Sequence, residues 1–169
     1  MSSTSKHSAI KHYKEIQNDD SRYFPNSDER TSIGSSFGEA FGFKKLGIYH
    51  DLLPPGRRTS YPHAESDEEE FIFVIEGTPD VWINGHLHPL KPGDGVGFPC
   101  GTGICHTFIN NTDNTVRLLV VGEKTKATNK FFFPLNPELK ERNKNRWWND
   151  APPHDLGPHD GLPDAIRKK

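Results

Sequence analysis

GRRTSYPHAESDEEEFIFVIEG (Gly56–Gly77) and GDGVGFPCGTGICHTFIN (Gly93–Asn110) are the stretches whose reading decides the fold. Each sets groups able to bind a metal on segments of strand character: His63, Glu65 and Glu70 in the first, His106 in the second. Side chains at i and i+2 of a strand share a face, so His63 and Glu65 point together and Ala64 turns away. Glu70 opens the apolar run Phe71–Ile75 and keeps its strand register, which separates it from a solvated acidic turn at Glu68 and Glu69. Two imidazoles and a carboxylate on converging strands form the facial donor set of non-haem Fe(II) sites. With Glu70 as fourth donor the set also suits Mn(II) or Zn(II). The expectation is one divalent ion per chain (Fe, Mn or Zn) held by His63, Glu65, Glu70 and His106, with Glu70 alternatively a proton acceptor.

Working outward, Leu46–Leu53 reads as a strand ended by Pro54-Pro55-Gly56. Residues 57–65 run back along the sheet, and Glu69–Glu76 is a dense apolar strand. Asp80–Ile83 alternates and is followed by Asn84-Gly85, a strong hairpin signal, so Leu87–Leu90 pairs back. Val96–Pro99, Cys105–Ile109 and Val116–Gly122 complete the pattern. Short strands with turns about every eight to twelve residues argue for an all-β sandwich or barrel. Residues 1–42 form an N-terminal arm, its first dozen polar and disordered at the tip, with one or two short strands over the sheet. The barrel occupies 43–135. Residues 136–169 form an irregular covering segment with one short helix within Pro137–Asn145. There Trp147-Trp148 must dock on the barrel or on a second subunit, because two indoles carry too much apolar area to leave in water.

Fifteen glycines and 14 prolines in 169 residues fit turn-rich β structure. The net charge of -2 gives no reason to expect nucleic acid as a partner. No secretory signal and no apolar run of membrane-spanning length is visible, so a cytoplasmic protein without membrane association is expected. Cys100 and Cys105 read as reduced thiols that pack as small hydrophobes, with lining of the site as the alternative.

These residues carry a resemblance to the cupin superfamily. Gly56, His63, Glu65, Glu70 and Gly77 follow the first cupin motif, with six residues between Glu70 and Gly77. Gly93, Pro99, Gly101, His106 and Asn110 follow the second, with five residues between Gly93 and Pro99 and three between His106 and Asn110. Glu65 stands where many members have a second histidine, and both Gly56–His63 and Gly101–His106 are longer than the commonest form. The chain is similar to small single-domain cupins without an established reaction. The resemblance implies a double-stranded β-helix jelly-roll with a metal inside, and small cupins commonly pair, so a homodimer is expected.

The favoured function is a metal-dependent enzyme acting on a small organic carboxylate or phenol by dioxygenase chemistry. Metal-assisted isomerisation, lyase chemistry or decarboxylation is the alternative, as is a non-catalytic binding role. Glu70, Arg57 and Tyr61 are the catalytic candidates. Arg57, Arg58 and Tyr61 precede His63 at the barrel mouth, where an arginine can take a substrate carboxylate through two parallel hydrogen bonds. His86 and His88 read as surface groups beside a turn. Leu156–Gly161 is a candidate lid carrying the His159-Asp160 pair.

Overall fold

Alternate burial along the strands builds the barrel. In β4 (Glu70–Glu76), Ile72 and Val74 are buried, Phe73 between them is half-buried, and Phe71 and Ile75 on either side are exposed. Each such buried side chain contributes roughly 1.5–3 kcal/mol relative to solvent. The computed structural model describes residues 6–167, so the expectation for the extreme N-terminal tip (residues 1–5) lies outside the described residues. The other strands are β1 (Ile33–Ser36), β2 (Leu46–Leu53), β3 (Ala64–Glu65), β5 (Asp80–Ile83), β6 (His86–Pro89), β7 (Gly95–Phe98), β8 (His106–Ile109), β9 (Val116–Glu123) and β10 (Phe131–Phe132).

A five-stranded sheet in the order β1-β2-β9-β4-β7 faces a three-stranded sheet in the order β6-β5-β8, and β10 pairs with β3. These strand pairings are antiparallel. This is an all-β jelly-roll barrel. Asn84 and Gly85 make the β5–β6 turn with φ of 45° and 88°, which glycine adopts without strain and asparagine tolerates. A side chain at Gly85 would also strike the backbone of Gly157.

Two apolar cores result. The first fills the barrel with Leu53, Ile72, Val74, Val81, Phe98, Phe108, Val116 and Leu118. The second lies on the other face of the three-stranded sheet, where Trp82, Cys105 and Ile109 meet Ala64 and Trp148. Trp147 and Trp148 are each 8% exposed, which answers the packing requirement within the chain. The C-terminal segment is tied down by main-chain hydrogen bonds: Trp148 N–H donates to Phe131 O, Gly157 N–H to Asn84 O and His159 N–H to Gly85 O. Trp82 Nε1–H donates to His159 O at 2.8 Å. Its helices are short, at Leu139–Arg142 and Asp164–Arg167.

Residues 57–65 run back along the sheet through isolated bridges, Arg58 to Ile109 and His63 to His106, and become a regular strand at Ala64–Glu65. Pro62 has no N–H to give and interrupts the ladder. In the N-terminal arm, β1 joins the sheet edge beside β2 rather than lying over the sheet, and a single helical turn, Phe37–Ala40, follows it.

Candidate functional site

His63 and His106 are directly opposed in an antiparallel bridge, each N–H donating to the other's carbonyl. Opposed residues project to the same face, and their rings lie 5.1 Å apart between centroids. Phe98 stacks on His106 at 3.5 Å and fixes that ring's plane, while Phe133 lies 5.9 Å from His63. His63 Nδ1 sits 2.9 Å from Tyr61 O. That contact makes Nδ1 the protonated nitrogen and leaves Nε2 with its lone pair.

Glu70, the first residue of β4, places Oε2 2.8 Å from His106 Nε2. Burial would raise its carboxyl, but the hydrogen bond from His106 and the charges of His106 and His63 hold it below the usual range. Burial pushes His63 down to about 4, with His106 adding to the effect and Glu70 opposing it. His63 is therefore neutral at physiological pH. These three residues line one cavity of about 120 Å3 together with Asp51, Thr59, Ser60, Ile72, Phe108 and Val120.

Glu65 lies beside this cavity, in a smaller space shared with Glu68, Glu70, Thr102 and His106. Burial pushes its carboxyl up to about 8; the charges of Glu68 and Glu70 add to this, while Asn129 and Arg146 oppose it. Glu68 is buried rather than solvated and accepts the Lys126 N–H.

A nitrogen and an oxygen donor bound cis to one ion at about 2.1 Å stand about 3 Å apart. The 2.8 Å between His106 and Glu70 fits that spacing, and two imidazoles with carboxylates suit a divalent ion chemically. In this arrangement the pair shares a proton, and no three His, Cys, Asp or Glu side chains among the described residues are gathered as an ion-holding group.

The other sequence candidates sit elsewhere. Arg57 makes a bidentate contact with Asp20 at 2.7 and 2.9 Å and donates to Thr31 O. Tyr61 directs its hydroxyl to Pro25 O. Neither lines the cavity. Leu156–Gly161 runs along the β5–β6 turn instead of over the cavity, and His159 Nδ1 accepts the Gly161 N–H. His86 and His88 are exposed on β6. Cys100 and Cys105 are free thiols outside the cavity lining, and burial pushes Cys105 up to about 12. Asp51 is the residue that sequence reasoning passed over. Its signal was its position two before Leu53, which puts a carboxylate on the inward face of β2.

Comparison with known proteins adds to this picture. The family model described as "Cupin domain" matches residues 49–122. Polyketide synthase CurC from Streptomyces cyaneus is 33% identical over 82 residues, 48% of this chain and 49% of that protein. The chain therefore matches about half the length of that curated relative. A structure described as a sugar phosphate isomerase from a cupin superfamily, from Silicibacter pomeroyi, is 32% identical with a TM-score of 0.58, covering 60% of this chain and 64% of that one. The polyketide cyclase RemF from Streptomyces resistomycificus aligns over 82% of this chain and 98% of its own with a TM-score of 0.60, and at 18% identity it speaks for the fold alone.

Proposed function

Given that the chain belongs to the cupin superfamily through its domain at residues 49–122, we propose that it is an enzyme moving protons on a small carbonyl compound. Its divalent ion (Fe, Mn or Zn) would be held by His63, His106 and Glu70, with Glu65 as fourth ligand. The observation that supports this most is the shared lining of one cavity by His63, Glu70 and His106. A divalent ion bound there supplies Lewis acidity toward a carbonyl oxygen. The protein's own part is orientation and desolvation. Phe98 fixes the plane of His106, Tyr61 O fixes the tautomer of His63, and the barrel core excludes bulk water. The isomerase description of the Silicibacter pomeroyi relative points to the same reaction class. Dioxygenation is the second reading, favoured by the two-histidine, one-carboxylate donor set.

Elemental analysis of untagged protein tests the metal assignment. Near-stoichiometric metal is expected in the wild type, with a loss of tenfold or more in His63→Ala and His106→Ala, as ligand removal implies. Metal retained by both variants would overturn these ligands. Oxygen uptake by iron-loaded protein with small carbonyl compounds and phenols would select dioxygenation instead.

We further propose a homodimer through the outer face of the five-stranded sheet. Leu46 and Phe71 are each 44% exposed and Ile75 is 38% exposed. The first two border a groove of about 370 Å3 with Phe98, Pro99 and Val121, which Glu69, Glu70 and Glu123 also line. The sheet ends there on β7, an edge whose free backbone groups suit a symmetric second copy. Sedimentation velocity should find a dimer for the wild type and a monomer for Phe71→Asp. A monomeric wild type at micromolar concentration rejects the idea.

A further inference from the structure

Asp51 shares the cavity with His63, Glu70 and His106 but belongs to neither glycine-bounded stretch. It sits on β2, opposite Leu118 of β9 on one side and Gly34 of β1 on the other. Ser32 Oγ–H donates to its Oδ2 at 2.9 Å. Among the described residues no other hydrogen bond and no cation partner reaches this carboxylate. Its Oδ1 lies 3.1 Å from the place a β-carbon on Gly34 would occupy, so glycine there leaves room for the group. A half-buried carboxylate with one neutral hydrogen bond costs free energy. An asparagine would tie β1 to β2 through Ser32 equally well, so the strand pairing alone does not call for an acid.

The rest of the lining limits what Asp51 can meet. Ile72, Phe108 and Val120 are apolar, Thr59 and Ser60 bring hydroxyls, and among the described residues no lysine or arginine lines the space. A phosphate or carboxylate on the ligand would enter without a cationic partner. The volume of about 120 Å3 restricts the ligand to a small molecule.

We propose that Asp51 is the catalytic base of this cavity, acting on a small uncharged hydroxycarbonyl compound. This rests on the proton-transfer reading above. Asp51 takes the proton from the carbon beside the carbonyl as that C–H bond breaks. The electron pair moves onto the carbonyl oxygen, giving the enediolate, and the proton of the adjacent hydroxyl passes to that oxygen. Return of the proton to the neighbouring carbon completes an isomerisation with no oxidant or reductant. Burial raises the Asp51 carboxyl above the usual range against the hydrogen bond from Ser32, with the charge of Glu70 adding to the rise, which makes it a better base than a solvated aspartate.

The test follows the C–H signal of dihydroxyacetone in D2O by proton NMR, with dihydroxyacetone phosphate as the charged comparison. Wild-type protein should exchange the uncharged probe, and Asp51→Asn should slow exchange by about 100-fold or more at unchanged metal content and thermal midpoint. A readout independent of turnover is carbon-13 NMR titration of labelled aspartate carboxyls. One midpoint should stand above the rest, vanish in Asp51→Asn and move further up in Ser32→Ala. Wild-type exchange by Asp51→Asn, preference for the phosphorylated probe, exchange of neither probe, or no raised midpoint would each overturn the proposal. His63→Ala separates the two readings. If it loses metal and exchange while Asp51→Asn keeps both, the metal reading stands and the base is wrong. The reverse pattern leaves the base standing and removes the metal.

Discussion

Arg58→Ala is expected to destabilise the protein by about 3–5 kcal/mol, the cost of stripping one partner from a buried ion pair. Arg58 is 3% exposed. Its Nε and Nη2 donate to the two carboxylate oxygens of Glu29 at 2.7 and 2.8 Å, and Nη1 donates to Gly161 O at 2.9 Å. The guanidinium also lies over the rings of Phe24 and Tyr61. One side chain thus joins the N-terminal arm, the segment leading to His63 and the C-terminal segment. Its removal leaves Glu29 buried and unpaired, and Arg58→Lys should recover little because an ammonium cannot make the same fork of hydrogen bonds. Urea denaturation measures the loss. A change below about 1 kcal/mol, the range of exposed pairs, would mean that the arm and the C-terminal segment are held by other contacts.

The second large effect is on pH. Chelator-treated protein should lose stability as pH rises from about 4.5 to about 8, and Glu65→Gln should remove that slope. Glu65 is raised from 4.5 to about 8 in the folded state, so the folded chain keeps a proton that the unfolded chain releases. Its favourable contribution is complete below the unfolded value and is lost as pH climbs through the folded one. At 1.36 kcal/mol per pH unit the upper bound is ~5 kcal/mol, comparable with the whole stability of a small domain. His63 acts with the opposite slope. Its folded value of about 4 lies below the ordinary 6.5, so stability falls as pH drops through that interval and the unfolded chain takes up the proton. The two effects together place the optimum inside the acid-to-neutral range. Denaturation midpoints measured from pH 4 to pH 9 check this, and an unchanged slope in Glu65→Gln would assign it to another group.

The metal-ligand candidates differ in how far the sequence could carry them. His63 and Glu70 were readable from strand register, since alternation around Phe71–Ile75 and the turn residues flanking it are local signals. The proximity of His63 and His106 was readable only through the two glycine-bounded stretches, because pairing across 43 positions has no local signature. Arg57 and Tyr61 look alike as mouth residues in the sequence. Asp20 and Pro25 take them elsewhere, and a salt bridge to a residue 37 positions upstream cannot be read from spacing.

The sequence by itself determined the all-β architecture, the Asn84-Gly85 hairpin, the inward face of β4 and the need to bury Trp147 and Trp148. Each follows from side-chain periodicity, turn conformation or apolar area, which are properties of a few neighbouring residues. Only the tertiary structure decided that the C-terminal segment covers the outer face of the three-stranded sheet, that Arg58 binds Gly161 from 103 positions away, and that Asp51 joins His63, Glu70 and His106 around one cavity. Those placements depend on how two sheets close on one another and on which distant carboxylate reaches a buried cation first. The two stretches at Gly56–Gly77 and Gly93–Asn110 supply most of the lining; Asp51 of β2 and Val120 of β9, outside both, supply the rest.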